Sequence, residues 1–371
     1  MEKKIKIAHT DLEYQHRALH SELFGIFQDH LETSDFIRGD AVAQFEENFS
    51  SYLGADHAVG VGNGTDALEL CLESLELERG SRVAVPANSF VASAEAVVRS
   101  GLTPVFVDVD DSMNISVDSL RAVSKRVSAV LAVHLYGVPS SIAEIAEFCA
   151  SEGIALIEDC AQAHGALANG SAVGTYGKCA AFSFFPGKNL GALGDGGAVV
   201  TQDKATEERI RRLANHGRLG REDHIIVGRN SRLDSMQASF LSLKLRHLEK
   251  WNQSRRDNAL IYFEELDQLP VIQLPKNNIK DLPVWHQFVI RVDPELRDSL
   301  ALFLREKEIE TRVIYPRVIP DTPAFSKSEG HWRNARAFSR EILSLPIAEH
   351  LSESDIRMVA RHVSVFVDKH L

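Results

Sequence analysis

Between residues 40 and 215 the chain alternates short, largely apolar runs with stretches of helical spacing, and this alternation restricts the fold more than any other feature. The runs are His57 to Val61, Arg82 to Val85, Pro104 to Val109, Val130 to Leu135, Ile154 to Ile157, Ala180 to Phe185 and Gly197 to Thr201. Apolar residues at helical spacing fill Phe45 to Leu53, Asp66 to Leu75 and Ser140 to Ser151. Strands that are apolar on both sides have both faces covered. The pattern therefore predicts an α/β domain, a mainly parallel sheet between helices.

The segment from Arg218 to Ser231 is polar and without period, and reads as a long loop of the functional or mobile kind. A helix from Ser235 to about Leu266 leads out of the sheet domain. Beyond it, a strand at Gln287 to Val292 and helices near Ser299 to Lys307 and Asn334 to Glu341 predict a smaller α+β domain. The expected division is 1–250 and 251–371, with the long helix crossing the boundary. A chain of 371 residues suits two such domains.

Composition narrows the function classes. A net charge of −11 argues against a nucleic-acid surface. No stretch approaches the ~20 apolar residues that span a bilayer, and the polar start MEKKIKIAHT does not read as a signal peptide. The expectation is a cytoplasmic protein. Cys71, Cys149, Cys160 and Cys179 lie far apart without a Cys-x-x-Cys pair, which predicts buried thiols rather than disulfides or a metal site.

Three segments carry candidate chemistry, and each has a plain alternative. Gly62-Asn63-Gly64-Thr65-Asp66 joins a strand to a helix. It reads either as an anion site, with open N–H groups at a helix start, or as a turn with a Thr or Asp cap. Glu158-Asp159 ends a buried strand, where a carboxylate needs a partner: a protonated pyridine nitrogen, or a salt bridge or helix cap. Lys188 sits in an apolar, glycine-rich turn from Ser183 to Gly197. Desolvation there lowers an amine's pKa and prepares a nucleophile, although an isolated loop lysine more often extends to solvent.

Taken together, these segments resemble the DegT/DnrJ/EryC1/StrS family of sugar aminotransferases. The likeness runs from Phe36-Ile37-Arg38-Gly39 to the last helices. Its strongest parts are Gly62 to Leu68, Pro86 to Phe90, His134 to Gly137, Glu158 to Gly165 and Ser183 to Gly197. The resemblance implies the type I, aspartate aminotransferase-like fold and pyridoxal 5′-phosphate, with pyridoxamine 5′-phosphate during turnover. It implies that Lys188 carries the cofactor as a Schiff base and then moves the proton. Asp159 would keep the pyridine nitrogen protonated, Gln162 would bond the phenolic oxygen and Phe90 would stack on the ring. Gly64, Thr65 and Ser183 would bind the phosphate, and Asn230 would reach the phosphate of a neighbouring subunit, which makes a homodimer part of the site.

For the substrate, the resemblance implies L-glutamate as donor and a nucleotide-linked keto-deoxysugar as acceptor, with ping-pong kinetics. The run Pro186 to Gly197 most resembles members acting on dTDP-3-keto-6-deoxyhexoses. Many members acting at C4 carry histidine where this chain has Phe185, and C4 is the alternative position. Tyr315-Pro316 resembles a His-Tyr-Pro motif with Ile314 in the histidine place, so Tyr315 is either a substrate contact or a packing residue. His164 and His286 stand equally open, and Trp251, Trp285 and Trp332 read as packing. The family's dehydratases replace the lysine with histidine, against which Lys188 argues. A regulatory member without catalysis disagrees with the complete set of Lys188, Asp159, Gln162 and Ser183. No Gly-x-Gly-x-x-Gly follows the first strand, which disfavours a nicotinamide enzyme.

Overall fold

The computed structural model describes residues 5–220 and 222–370. Helices α1 (Leu12–Ala18), α2 (His20–Thr33) and α3 (Asp40–Leu53) precede strand β1 (His57–Val61). There follow α4 (Gly64–Ser74), β2 (Arg82–Pro86), α5 (Ala92–Arg99), β3 (Thr103–Val107), α6 (Val117–Val123), β4 (Ala129–Val133), α7 (Ile142–Glu152) and β5 (Ala155–Asp159). A hairpin of β6 (Leu167–Ala168) and β7 (Ser171–Ala172) leads to β8 (Cys179–Ser183), β9 (Gly197–Thr201), α8 (Lys204–Leu213) and the long α9 (Ser235–Leu266). The remainder comprises β10 (Ile272–Gln273), β11 (Phe288–Val292), α10 (Pro294–Glu306), α11 (Arg333–Glu341), β12 (Ile342–Leu345) and α12 (Glu353–Asp368).

The main sheet has seven strands in the order β1-β9-β8-β5-β4-β2-β3. Every neighbouring pair among β8, β5, β4, β2 and β3 is parallel, and β9 alone runs against its neighbours. Each residue of β4 is buried, as a strand covered on both faces requires. One face packs under α4 and α5 through Leu68, Leu70, Val97 and Leu131. The other packs under α3, α7 and the first half of α9 through Phe45, Phe49, Ile145, Phe182 and Leu241. With strands parallel, their carboxyl ends gather on one edge, and the loops there build the site.

A second apolar core lies under the small sheet of β10, β11 and β12. It takes Ala259, Tyr262 and Leu266 from the far half of α9, and Ile7 from the start of the chain, which bridges to Ile309. Trp251, Trp285 and Trp332 are all buried packing residues. Trp332 also donates its indole N–H to the carbonyl of Phe106 at 2.9 Å.

Several boundaries move for local reasons. The run Val130 to Leu135 pairs only to Val133: the His134 N–H makes the last bond of the β4–β5 ladder, to the carbonyl of Asp159 at 3.1 Å, and a tight turn at Leu135–Gly137 follows. The run Ala180 to Phe185 stops at Ser183, because Phe184 closes the loop that follows. The expected helix near Ser299 begins at Pro294, where Asp293 caps it and proline takes the first turn. The described residues between 218 and 231 are without helix or strand and are joined by isolated bridges such as Asn215–Asn230.

Candidate active site

At the carboxyl edge of the sheet lies a cavity of about 490 Å³ lined by residues from six segments of the chain. Gly64, Thr65, Phe90, Asp159, Gln162, Ser183, Phe185, Lys188 and Tyr315 all face it. Asn230 does not; it is exposed on the outside of the chain. A larger groove of about 870 Å³ runs along the edge strand β3 and contains none of these residues.

The start of α4 forms one wall. The cap is Asn63, not Thr65 or Asp66: its Oδ1 accepts from the Asp66 N–H at 2.8 Å. Gly64 and Thr65 are the first two helical residues, whose N–H groups have no carbonyl within the helix to donate to. A Cβ on Gly64 would lie 2.5 Å from Cβ of Ser183 and 3.0 Å from its Oγ. Only glycine lets the helix start come so close to that hydroxyl. The result is a cradle of N–H and O–H donors at the positive end of a helix, suited to a phosphate.

Asp159 ends β5 and is 6% exposed. One oxygen accepts from Ser93 Oγ at 2.9 Å and the other from the Ala161 N–H at 3.1 Å. Both donors are neutral, and burial pushes this carboxyl above the usual carboxylate range. A cation in the cavity would stabilise it. Its neighbour Glu158 points the other way and is fully buried. It accepts from the N–H groups of Gly174, Tyr176 and Gly177 at 2.7 to 2.8 Å and contacts His134 Nε2 at 3.1 Å. His134 Nδ1 accepts from the Ser140 N–H at 3.1 Å, which puts the ring proton on Nε2, toward Glu158. Glu158 holds the fold; Asp159 faces the site.

Lys188 is half-buried at the cavity wall, and desolvation lowers its pKa to about 8 against a weaker opposing pull from Asp159. Gln162 Oε1 accepts from the Tyr136 N–H at 2.7 Å, which fixes the amide so that Nε2 donates to Tyr315 Oη at 3.2 Å. Burial drives the Tyr315 phenol up to about 12, so it stays protonated. Tyr136 in turn donates its hydroxyl to the carbonyl of Ile314. Phe90 is open to the cavity, its ring centroid 5.7 Å from that of Tyr315.

The two open histidines separate. His164 is fully buried, tilted against Phe182 and Phe184, and desolvated to a pKa of about 3, which makes it a neutral core residue. His286 Nδ1 lies 3.0 Å from Asn189 Oδ1, beside Lys188 in sequence, and burial holds its pKa well below 6.5. Sequence reading missed Ser93, which restrains Asp159, and Asp195, which lines the cavity. A lone serine at a helix start carries no pattern that sets it apart.

Residues 18–364 match the model of the DegT/DnrJ/EryC1/StrS aminotransferase family. The chain belongs to that family. It is 40% identical over 352 residues, 93% of this chain and 92% of the relative, to a protein of Streptomyces venezuelae named dTDP-3-amino-3,4,6-trideoxy-alpha-D-glucose transaminase. It is 39% identical to a UDP-N-acetyl-3-dehydro-alpha-D-glucosamine 3-aminotransferase of Acidithiobacillus ferrooxidans, over 97% of this chain and 98% of the relative. Among solved structures, S. venezuelae DesV in complex with a ketimine intermediate superposes with a TM-score of 0.95 at 38% identity, covering 99% of each chain. The protein is a pyridoxal-phosphate-dependent aminotransferase of type I fold. Its cavity fits that cofactor: a buried carboxylate with only neutral partners, a desolvated lysine, and a donor cradle that one Cβ would fill.

Proposed function

We propose that this aminotransferase moves an amino group from L-glutamate to C3 of a dTDP-linked 3-keto-6-deoxyhexose, in amino-sugar biosynthesis. The observation that carries the reading is one cavity joining Lys188, Asp159 and the Gly64–Thr65–Ser183 cradle. The names of the two relatives, both acting at position 3 of a nucleotide-linked sugar, support the position. Phe185, half open on the cavity wall, supports it further: it offers the sugar an apolar face and no ring nitrogen.

When bound, the cofactor supplies an electron sink that stabilises charge at the carbon bearing the amine. The residues of the chain do the rest. Gly64 and Thr65 N–H groups and Ser183 Oγ would hold the phosphate. Asp159, restrained by Ser93, would keep the ring nitrogen protonated, and Gln162 Nε2 would donate to the phenolic oxygen. Phe90 covers one ring face and limits water there. Lys188 Nζ would hold the cofactor covalently at rest and, once free, would serve as the base that takes the proton from the amine-bearing substrate carbon and the acid that delivers it to the carbon on the far side of the nitrogen. Because glutamate and ketosugar use the same cavity in turn, the kinetics are ping-pong.

Asn230 completes the site of a second copy in this reading, through its amide to that copy's phosphate. The exposed stripe of Phe24, Phe27 and Leu31 along α2, at helical spacing, supports a homodimer. The four cysteines, all buried and unpaired, support a cytoplasmic location, and no described helix is long and apolar enough to cross a membrane. The two cores support the division at residue 250, with Ile7 crossing to the second.

The position is tested by offering the glutamate-treated enzyme 3-keto and 4-keto dTDP-sugars and identifying the amine by mass spectrometry and NMR. Amination of the 3-keto sugar is expected. Exclusive amination at C4 would replace the reading with the C4 alternative.

A further inference from the structure

The loop carrying Lys188 is closed at its base: the Phe184 N–H donates to Gly196 O, and the Ala192 N–H to Phe184 O, both at 2.8 Å. Closure at the base leaves the middle free to shift unless something outside holds it. One helix does. The Leu193 N–H donates to Gln237 Oε1 at 2.8 Å, Gly191 O accepts from Lys244 Nζ at 2.8 Å, and Asn189 Nδ2 donates to Asn252 Oδ1 at 3.0 Å. The held positions alternate with Leu190 and Ala192, which are fully buried in the core. The partners follow one another at seven and eight residues along α9, roughly two turns each, which keeps them on one side of the helix. As the loop descends from 193 to 189, the helix ascends from 237 to 252.

Lys244 is the expensive member of this set. It is 1% exposed and forms no ion pair among the described residues; its other contact is His16 Nε2 at 3.3 Å. Desolvation lowers its pKa to about 8, and its one strong bond goes to a backbone carbonyl. A methionine would fill similar space without removing a charge from water, so packing does not explain an ammonium here. The carbonyl it grips belongs to Gly191, where a Cβ would lie 2.3 Å from Pro186 O; the loop is drawn tight at that point.

We infer that Gln237, Lys244 and Asn252 form a brace on α9 that sets the position of Lys188 in the cavity. The inference rests on Lys188 being the reactive amine. All three are positioning residues: none lines the cavity, and each acts through the loop. Asn189 shows how the hold is passed to the lysine. Next to Lys188 in sequence, it is also bonded to Val284 O and His286 Nδ1, both at 3.0 Å, so its side chain has no free rotation to give. The brace also ties Lys188 to the small domain, because α9 continues to Arg255 and Asn258, which bond the carbonyls of Ile347 and Ala348.

The test uses the pyridoxal-phosphate holoenzyme as wild type, Lys244→Met, Lys244→Gln and Gln237→Ala. Borohydride reduction with peptide mapping locates the cofactor. A pH titration of the visible band and the rate of the glutamate half-reaction are then measured alongside thermal melts. Wild type is expected to carry the label on Lys188. Lys244→Met should move the titration midpoint and slow the half-reaction roughly tenfold or more, as misplacement of a reacting group does, with KM for glutamate little changed. Lys244→Gln, which keeps a donor for Gly191 O, should recover much of that rate. Gln237→Ala, at a half-exposed position, should shift the midpoint the same way by less, and it decides the matter if Lys244→Met does not fold. A labelled Lys188 with folded variants of wild-type midpoint and rate would overturn the brace. So would activity and melting temperature falling in step for both Lys244 variants, which is the mark of a packing residue. A label elsewhere than Lys188 would remove the reactive-amine reading first, and the brace with it.

Discussion

Asp159 and Lys188 face one cavity without forming an ion pair. The carboxylate is met by the Ser93 hydroxyl at 2.9 Å and the Ala161 N–H at 3.1 Å, and the amine is desolvated to a pKa of about 8. Each group is thus held in a state that a bound cofactor would stabilise: an anion lacking a cation, and an amine close to losing its proton.

Cofactor capture should follow the lowered pKa of Lys188. Burial disfavours the ammonium, so the neutral, nucleophilic form is reached at lower pH than for a free lysine. At pH 7 about a tenth of the amine is neutral, against fewer than one in a thousand at an unshifted 10.5. The rate of pyridoxal phosphate capture by the apoprotein should therefore rise with pH and level off a little above 8. Stopped-flow absorbance gives the profile, and a rate still climbing at pH 10 would show that the lysine is not desolvated.

Asp159→Asn should separate activity from stability. The folded-state pKa of Asp159 is raised, so its contribution to stability is present at low pH and lost as pH rises through that value. At neutral pH the buried charge is a burden on the apoprotein. The variant should melt at an equal or higher temperature while its turnover falls by about two orders of magnitude, the electron sink having lost its anion. A large loss of melting temperature with turnover preserved would reverse the assignment.

Glu158→Ala should do the opposite of its neighbour. It removes the acceptor for three backbone N–H groups and for His134, leaving buried donors unpaired. The expected cost is about 3–5 kcal/mol of stability. Chemical denaturation measures it, and a change below about 1 kcal/mol would contradict the structural role.

Gly64→Ala tests the phosphate cradle. The added methyl meets Ser183 Cβ at 2.5 Å, so α4 must retreat from the hydroxyl. Affinity for pyridoxal phosphate should fall at least about tenfold with modest loss of stability, as overpacking at one contact predicts. Equilibrium dialysis gives the constant; unchanged affinity would place the phosphate elsewhere.

Much of this was legible in the sequence because the relevant signals are local. β4 is apolar throughout, α9 begins and ends where its apolar spacing does, Asp159 and Ser183 end strands, and Gly64 and Lys188 lie just past the carboxyl ends of strands. What escaped depends on distant partners. Ser93 matters only because α5 brings it to Asp159, 66 residues away. The cap of α4 fell to Asn63 rather than Thr65, a choice set by how the strand hands over to the helix. Strand β12, after the helix expected to end at Glu341, was not predicted, because only its pairing with β11 defines it. Asn230 is exposed, lies outside the cavity and bridges Asn215.

The most direct test of the central claim is the visible spectrum of the purified protein with pyridoxal phosphate, before and after L-glutamate, with Lys188→Ala alongside. The account predicts a visible band in the wild type that bleaches on adding glutamate, and no such band in the variant. A wild-type band that persists in glutamate, or an identical band in Lys188→Ala, would contradict it.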